Sequence, residues 1–337
     1  MINYVYQLVS PQVFSVKYEN IKFENKVIVK PEYMAICHAD QRYYLGQRDH
    51  AVLQRKLPMA LIHECSGRVV YDPTGTWNMG DPVVMIPNVP APHEEHIYEN
   101  YAKGSGFLSS GVDGFLREYV DVPADRVVSA KGVPLKDAAV TEFVSVAMHA
   151  ASRMNVIAHC GRECIGIWGD GSLAFVVANV VKKIFPDSRL VIIGKNIRKL
   201  VYFSFADATY LADSLPKNLS VDHAFECCGG DGSSYAIDDI IRYISPQGTV
   251  VLMGVTENKV AINTRNILEK GLTFVGSSRS GREDFENAME LMRSPLFNQR
   301  LQQIIYEDKE VSSIDDIHRV FQTDLNTPFK TVFKWNM

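Results

Sequence analysis

The sequence has no apolar run long enough to cross a bilayer and no basic run that could follow a phosphate backbone. Because the formal net charge is -4 over 337 residues, we expect neither nucleic acid nor a membrane among its partners. The N-terminal stretch lacks the basic start and apolar core of a signal peptide, and the six cysteines show no disulfide-framework spacing. These absences predict a cytoplasmic protein with reduced thiols.

Apolar segments follow two different patterns along the chain. Up to about residue 150 they are short and separated by Gly, Pro and Asp, which is typical of strands. From Gly166 onward, apolar strands alternate with helices, which predicts a parallel sheet covered on both faces. The last roughly sixty residues are too few for a third domain, so we expect them to return to the first. The predicted fold class is α/β, with a β-rich domain and a doubly wound parallel-sheet domain.

The segment from Gly169 to Ala174 is a glycine-rich turn between an apolar strand and an apolar helix. Gly169 permits the tight turn, Gly171 lets the backbone approach a pyrophosphate, and Ala174 lets the helix pack closely. Ser172 and Leu173 open the helix, where free N–H groups attract phosphates. This context predicts a dinucleotide-binding site rather than an ordinary turn.

The end of the next strand bears on the choice of nicotinamide cofactor. An NAD enzyme places an acidic residue there to hold the ribose 2′-hydroxyl, but this chain has Gly194. Lys195, Arg198 and Lys199 follow it and would hold a 2′-phosphate, which a carboxylate would repel. The same cluster could be the solvated start of a surface helix. We favour NADPH as the cofactor.

Four candidate metal ligands are scattered along the first domain: Cys37, His63, Glu64 and Glu142. Thiolate, imidazole and carboxylate are the ligand types of a catalytic zinc that keeps one position open for substrate. Each residue also has an ordinary explanation, since Cys37 could be a core thiol, His63 a hydrogen-bonded histidine and Glu142 a carboxylate at a helix start. Only folding could bring them together, so their grouping is a prediction about tertiary structure.

Several short motifs resemble those of the zinc-containing medium-chain dehydrogenases, and the resemblance covers essentially the whole chain. They are Cys37-x-x-Asp40, His63-Glu64-x-x-Gly67-x-Val69, Gly80-Asp81-x-Val83-Val84 and residues 113–119, while residues 142–149 resemble the sorbitol-dehydrogenase branch. The resemblance implies a GroES-like catalytic domain over residues 1–150 and 278–337 and a Rossmann domain that binds NADPH over residues 151–277. It also implies that Cys37 and His63 ligate zinc, with Glu64 and Glu142 sharing the remaining role, one directly and one nearby or through water.

Two departures from the family pattern limit what the resemblance implies. Residues 88–114 contain no cysteine where the family carries four for a structural zinc, so we expect a single zinc. Ala39 stands where many members have a Ser or Thr that passes protons, and Arg42 stands where a relay histidine often lies. We therefore expect protonation through zinc-bound water assisted by Glu64.

A narrower resemblance is to the ribulose-5-phosphate reductases, carried by residues 34–44, 166–171 and 276–281. It implies NADPH-dependent reduction of D-ribulose 5-phosphate to D-ribitol 5-phosphate, a precursor for teichoic acid or capsule, with a cytidylyltransferase as a potential partner. Arg42 suits a substrate phosphate because a guanidinium offers bidentate donors, although it could equally form a structural ion pair. Arg279 and Lys330 are further candidates for phosphate or cofactor contacts. Related dehydrogenases are commonly dimers or tetramers, so we expect a homo-oligomer.

Two other functions stay open. One is an NAD(P)-dependent dehydrogenase of an unphosphorylated polyol such as sorbitol or xylitol, against which the basic residues and the missing acid argue. The other is a non-catalytic NADPH-binding protein like the crystallin-like relatives, which typically lack the zinc ligands that this chain retains.

Overall fold

The computed structural model describes residues 2–92 and 94–337, which divide into two units. The first unit runs as far as Ser145 and resumes over Ser280–Met337, while the second is Val146–Arg279. The boundaries expected from the sequence, after residue 150 and before residue 278, lie a few residues from these. Within the described ranges, no helix is long and apolar enough to cross a membrane.

The strands in chain order are β1 (Ile2–Ser10), β2 (Val13–Asn20), β3 (Lys26–Ala35), β4 (Met59–Ala60), β5 (Glu64–Tyr71), β6 (Pro82–Met85), β7 (Asn88–Val89), β8 (Gly106–Phe107), β9 (Val120–Pro123), β10 (Val127–Ser129), β11 (Cys164–Trp168), β12 (Arg189–Gly194), β13 (Ala208–Leu211), β14 (Val221–Glu226), β15 (Ile244–Leu252), β16 (Thr273–Gly276), β17 (Ile305–Val311) and β18 (Lys330–Trp335). The helices are α1 (His38–Tyr44), α2 (His50–Lys56), α3 (Leu135–Ala138), α4 (Thr141–Ile157), α5 (Ser172–Ile184), α6 (Ile197–Leu200), α7 (Gly232–Tyr243), α8 (Thr264–Lys270), α9 (Arg282–Met292), α10 (Pro295–Gln302) and α11 (Ile314–Asn326).

Largely antiparallel sheets organise the first unit. A seven-stranded sheet has the order β10-β6-β5-β3-β18-β17, with β9 also paired to β3, and a three-stranded sheet has the order β2-β1-β4. Apolar side chains of β1 and β3, among them Val5, Leu8, Val27 and Val29, pack in one buried core with Phe333 of β18. The C-terminal segment therefore completes the first unit, because β18 lies inside its sheet beside β3.

A six-stranded parallel sheet organises the second unit, in the order β13-β12-β11-β14-β15-β16. This is the 3-2-1-4-5-6 order of a Rossmann fold, in which ligands bind at the carboxyl ends of the strands where the order reverses. β11 is buried along its whole length, as its continuous apolar run predicts for a central parallel strand. α5 follows β11 and ends at Ile184, shortly before Pro186, which lacks the N–H that a continuing helix needs.

Candidate active site

Strand pairing brings three distant segments of the first unit together. β3 ends at Ala35, which pairs with Glu64 at the start of β5 and with Val332 of β18 on the other side. Cys37 follows the end of β3 and is the N-cap residue of α1, while His63 directly precedes β5. The register of the sheet therefore sets Cys37, His63 and Glu64 beside one another.

Among the described residues, Cys37, His63 and Glu64 form a group whose ligand atoms all lie within 4.8 Å of one another. His63 and Glu64 are buried, and Glu64 Oε2 has no hydrogen-bond partner in the described part of the chain. A buried carboxylate oxygen left in this way is costly, and a cation would relieve the cost. Thiolate, imidazole and carboxylate are also the donors of catalytic zinc sites with three protein ligands.

Asp40 links the start of α1 to the segment that carries His63. Its carboxylate is fully buried, and Oδ1 accepts hydrogen bonds from the Ile62 N–H (3.0 Å) and the Ser109 hydroxyl (2.6 Å). Oδ2 accepts one from the Cys37 N–H (3.2 Å) and lies 3.4 Å from His63 Nδ1. Burial opposes ionisation, but His63 and the hydrogen-bond donors hold the pKa of Asp40 below its ordinary value. Asp40 thus occupies Nδ1 and leaves Nε2 of His63 for a metal.

The environment of His63 attracts positive charge. Burial disfavours its protonation, yet the charges of Asp40 and Cys37 raise the pKa of His63 well above its ordinary value. A divalent cation bound to this group would supply positive charge in place of that proton. The partnerless oxygen of Glu64 and this attraction for a cation together show that the residues present fit a zinc ion.

Lys330 pairs with Glu64 in the interior of the first unit. Its Nζ donates to Glu64 Oε1 and lies 4.5 Å from the centroid of the Phe143 ring. Burial opposes protonation of Lys330, but the Glu64 charge raises the pKa of Lys330 above its ordinary value. Burial also raises the pKa of Glu64, although Lys330 opposes that shift. Lys330, expected from the sequence as a contact for phosphate or cofactor, has the Glu64 carboxylate as its partner in this structure.

Glu142 lies in the first turn of α4 and is 7% exposed. It is not a member of the group within 4.8 Å, but its carboxyl group interacts electrostatically with His63 and Glu64. Burial raises the pKa of Glu142 to about 7, and the charge of Glu64 adds to this rise while the charge of His63 opposes it. Of the two candidate glutamates, the structure groups Glu64 with Cys37 and His63 and leaves Glu142 nearby.

Positive charge gathers at the C-terminal end of α1. Arg42 lies in its last turn and is 9% exposed. Burial and then the charge of Arg48 lower the pKa of Arg42, and burial and then Arg42 lower the pKa of His38. Arg48 lies over the Tyr43 ring, with 4.9 Å between its guanidinium carbon and the ring centroid. The helix that begins beside the ligand group therefore ends in a basic region.

The glycine turn of the second unit has the backbone of a phosphate-binding turn. Gly169 has a φ of 140°, and a Cβ at this position would lie 3.0 Å from the Cys227 carbonyl oxygen and 3.2 Å from the Ala174 Cβ, so a side chain here would be strained and crowded. Gly171 is the N-cap residue of α5, and nothing lies within 4 Å of the position that its Cβ would take. The amides of Ser172 and Leu173 belong to the first turn of α5, which has no intrahelical acceptors for its N–H groups.

The basic residues after β12 are presented at the surface of the second unit. Gly194 ends the strand, Lys195 and Arg198 are exposed, and Lys199 is half-buried. Lys195 Nζ lies 5.3 Å from the centroid of the Tyr235 ring. Arg279 is the last residue of this unit and has a left-handed φ of 57°; its part in binding stays a prediction.

Comparisons with known proteins place the chain in a family. Residues 24–132 match the model of the alcohol dehydrogenase GroES-like domain, and residues 205–294 match that of the zinc-binding dehydrogenases. A ribulose-5-phosphate reductase of Streptococcus pneumoniae is 56% identical over 340 residues, which cover 100% of this chain and 98% of the relative. The chain belongs to the zinc-binding dehydrogenases. It is therefore an oxidoreductase, and the expected fold class, a GroES-like domain with a Rossmann domain, is confirmed.

The similarity to further relatives extends over both units. Ribulose-5-phosphate reductase 1 of Staphylococcus aureus is 46% identical over 341 residues, which cover 100% of both chains. The crystal structure of S. aureus TarJ in complex with NADPH superposes with a TM-score of 0.88 at 41% identity, again over 100% of both chains.

Two positions contribute to these sites without having been singled out from the sequence. Ser109 donates to Asp40, but it lies in the polar segment after β7, where no motif marked it. Asp170 stands between the two glycines of the turn and accepts hydrogen bonds from the backbone that follows β12. The sequence feature that could have identified Asp170 is its position between Gly169 and Gly171.

Proposed function

We propose that this chain is a zinc-dependent, NADPH-linked reductase that converts D-ribulose 5-phosphate to D-ribitol 5-phosphate, the precursor of CDP-ribitol for teichoic acid or capsule. The observation that carries the proposal is similarity over the whole chain to four proteins named ribulose-5-phosphate reductase, at 45% to 56% identity. The group of Cys37, His63 and Glu64 supports zinc. The similarity to S. aureus TarJ, solved with NADPH, supports the cofactor.

The overall reaction consumes D-ribulose 5-phosphate, NADPH and one proton, and yields D-ribitol 5-phosphate and NADP⁺. When bound, zinc supplies a Lewis acid for the C2 carbonyl and NADPH supplies the hydride. Asp40 keeps the His63 ring oriented through Nδ1, and Lys330 holds one oxygen of Glu64 in place. Since Ala39 carries no hydroxyl, we keep water assisted by Glu64 as the proposed source of the proton for the C2 oxygen.

The pyrophosphate of the cofactor is assigned to the turn from Gly169 to Ala174, where the open space at Gly171 and the N-terminal amides of α5 suit an anion. Lys195, Arg198 and Lys199 are proposed to recognise the 2′-phosphate. The proposal also includes one zinc per chain, a homo-oligomeric assembly and a cytidylyltransferase partner.

Arg42 is the proposed contact for the 5-phosphate of the sugar. It lies five residues beyond Cys37 along α1, which is a rise of about 7 Å. Five bonds separate C2 of the substrate from its phosphorus, a distance of about 6 Å when extended. The axial rise and the span of the substrate are similar in size, so the basic end of α1 is the proposed location of the phosphate, where a guanidinium can bind phosphate oxygens in a bidentate manner. Arg279 stays a further candidate for a phosphate or cofactor contact.

The test of the substrate follows NADPH oxidation by the zinc-loaded protein with D-ribulose 5-phosphate, beside NADH and D-ribulose as controls. Turnover that requires both the phosphate and NADPH is expected. Arg42→Gln should lower kcat/KM for the phosphorylated sugar by about 10- to 100-fold and leave D-ribulose unaffected, because a charged hydrogen-bonded pair is lost. Arg55→Gln, at an exposed arginine of α2, is the matched control. Equal rates with the free sugar would instead assign the chain to the polyol dehydrogenases.

The test of the metal compares two cysteine variants. Cys37→Ala should lose bound zinc and activity together, whereas Cys160→Ala, at an exposed cysteine of the second unit, should retain both. Zinc content is measured by mass spectrometry on the protein after dialysis. Full activity in metal-free protein would refute the zinc-dependent mechanism.

A further inference from the structure

Asp170 reaches from the glycine turn across to the loop that follows β12. Its Oδ2 accepts hydrogen bonds from the Lys195 N–H (2.7 Å) and the Asn196 N–H (2.6 Å). The turn is joined to the same strand by the Gly169 N–H, which donates to the Ile193 carbonyl at 2.8 Å. A single side chain therefore ties the backbone of the basic loop to the turn proposed to hold the pyrophosphate.

The Asp170 side chain also fills the space above Gly194. A Cβ built on Gly194 would lie 2.7 Å from the Asp170 Cβ, 2.8 Å from its Oδ2 and 2.9 Å from the Leu200 Cδ2. These separations are too short for a side chain at position 194 unless Asp170 and the end of the Leu200 side chain both move. An aspartate at this position would bring a second carboxylate against Asp170 as well, and two like charges at such a distance repel.

Position 194 matters because it ends the second strand of the parallel sheet. In this kind of fold an acidic residue at the end of that strand binds the ribose 2′-hydroxyl of NAD. Here the position is closed to a side chain, and the loop that Asp170 fixes carries the exposed cations Lys195 and Arg198. Two backbone N–H groups donate to Oδ2 of Asp170, and these donors partly offset the negative charge of the carboxylate.

We propose that Asp170 is the residue that sets cofactor specificity, by excluding a ribose-binding acid at position 194 and by positioning the basic loop for a 2′-phosphate. It is a positioning residue, since it acts through the backbone of Lys195 and Asn196. The inference rests on the proposed function in taking NADPH as the cofactor and the basic loop as the site of its 2′-phosphate, and it is independent of the sugar.

The strand pattern alone would predict that Gly194→Asp shifts the cofactor preference of the protein towards NADH. The structure predicts instead that Gly194→Asp weakens the binding of both NADPH and NADH, because Asp170 leaves no room for the new carboxylate. Only the double variant Gly194→Asp with Asp170→Gly should favour NADH, since removal of the Asp170 side chain opens the space. The two substitutions are thus expected to be strongly non-additive.

The experiment titrates NADPH and NADH into the zinc-loaded protein without any sugar and follows the fluorescence of the reduced nicotinamide. Asp170→Gly should lower the ratio of NADPH to NADH affinity by about 10-fold, the size of one lost charge-assisted contact. Asp170→Asn should keep most of the preference, because its amide oxygen can accept the same two hydrogen bonds. Asp213→Asn, at an exposed acid that bonds Ser214, is the matched control and should change neither affinity.

The outcomes separate this inference from the proposed function. If Gly194→Asp alone binds NADH tightly, or if Asp170→Gly leaves the affinity ratio unchanged while circular dichroism shows a folded protein, the role of Asp170 is refuted. An unchanged chain that binds neither dinucleotide overturns both proposals. If the predicted affinities hold but D-ribulose 5-phosphate is not reduced, the inference stands and the proposed substrate fails.

Discussion

Replacing Lys330 with Met should destabilise the protein more than any surface substitution. Lys330 and Glu64 are 5% and 0% exposed in their side chains, and the Nζ of Lys330 also lies over the Phe143 ring at 4.5 Å. Met fills a similar volume but carries no charge, so the Glu64 carboxylate would be left buried without its ion-pair partner. The substitution therefore removes the charge of Lys330 while keeping most of its packing contacts.

The expected cost follows from the burial of the pair. Removing one member of a buried ion pair costs about 3–5 kcal/mol, because the remaining charge is uncompensated. Glu64 raises the pKa of Lys330 above its ordinary value of 10.5, so the stabilisation is fully present below that pH and is lost only as pH rises through the folded-state pKa. A measurement at pH 7 therefore detects the whole contribution.

The assay is urea unfolding at pH 7 of the chelator-treated protein, with a parallel series in zinc. Lys330→Met should lower the free energy of unfolding by about 3 kcal/mol or more, and adding Glu64→Gln should recover a large part of the loss. Lys334→Met is the matched control, since Lys334 lies on the same strand and pairs with Glu310 at 2.9 Å in an exposed position. A loss for Lys330→Met no larger than that of the control would refute the reasoning.

Three further predictions concern the first unit. Asp40→Asn should lower zinc affinity by about 10- to 100-fold, because the His63 ring loses the carboxylate that orients it; competition with a chelating dye measures this, and unchanged affinity would contradict it. Gly67→Ala should cost about 3 kcal/mol in urea unfolding, because its Cβ would lie 2.2 Å from the Lys30 carbonyl oxygen; a wild-type midpoint would show that the strands can separate. Asp316→Asn should lower the urea midpoint at neutral pH, and the difference from the wild type should vanish as pH falls. Hydrogen bonds at the start of α11 hold the pKa of Asp316 at about 2, below its ordinary value of 3.8. The stabilisation by the Asp316 carboxylate is therefore present above pH 3.8 and is lost as pH falls towards 2. A difference that persists in acid would rule this out.

Elements of the second unit could be predicted closely where the pattern was local. The glycine turn was expected between an apolar strand and an apolar helix, and it lies between β11 (Cys164–Trp168) and α5 (Ser172–Ile184). The edge strand β13, Ala208–Leu211, was not predicted because its four residues are mostly half-buried and form neither an alternating nor a continuous apolar pattern. Its pairing with β12 decides that it is a strand.

The sequence by itself determined the residue types of the candidate metal group, the glycine turn and the basic residues after the second parallel strand, because these are properties of single residues or of short segments. Only the tertiary structure decided that Glu64 joins Cys37 and His63 while Glu142 lies nearby. It also paired Lys330 with Glu64 across 266 positions. Such contacts depend on strand register and on the need to pair buried charges, and neither is written in a local pattern. For the same reason the chain alone does not show that Asp170 fills the space above Gly194, which two neighbouring strands of one sheet bring together.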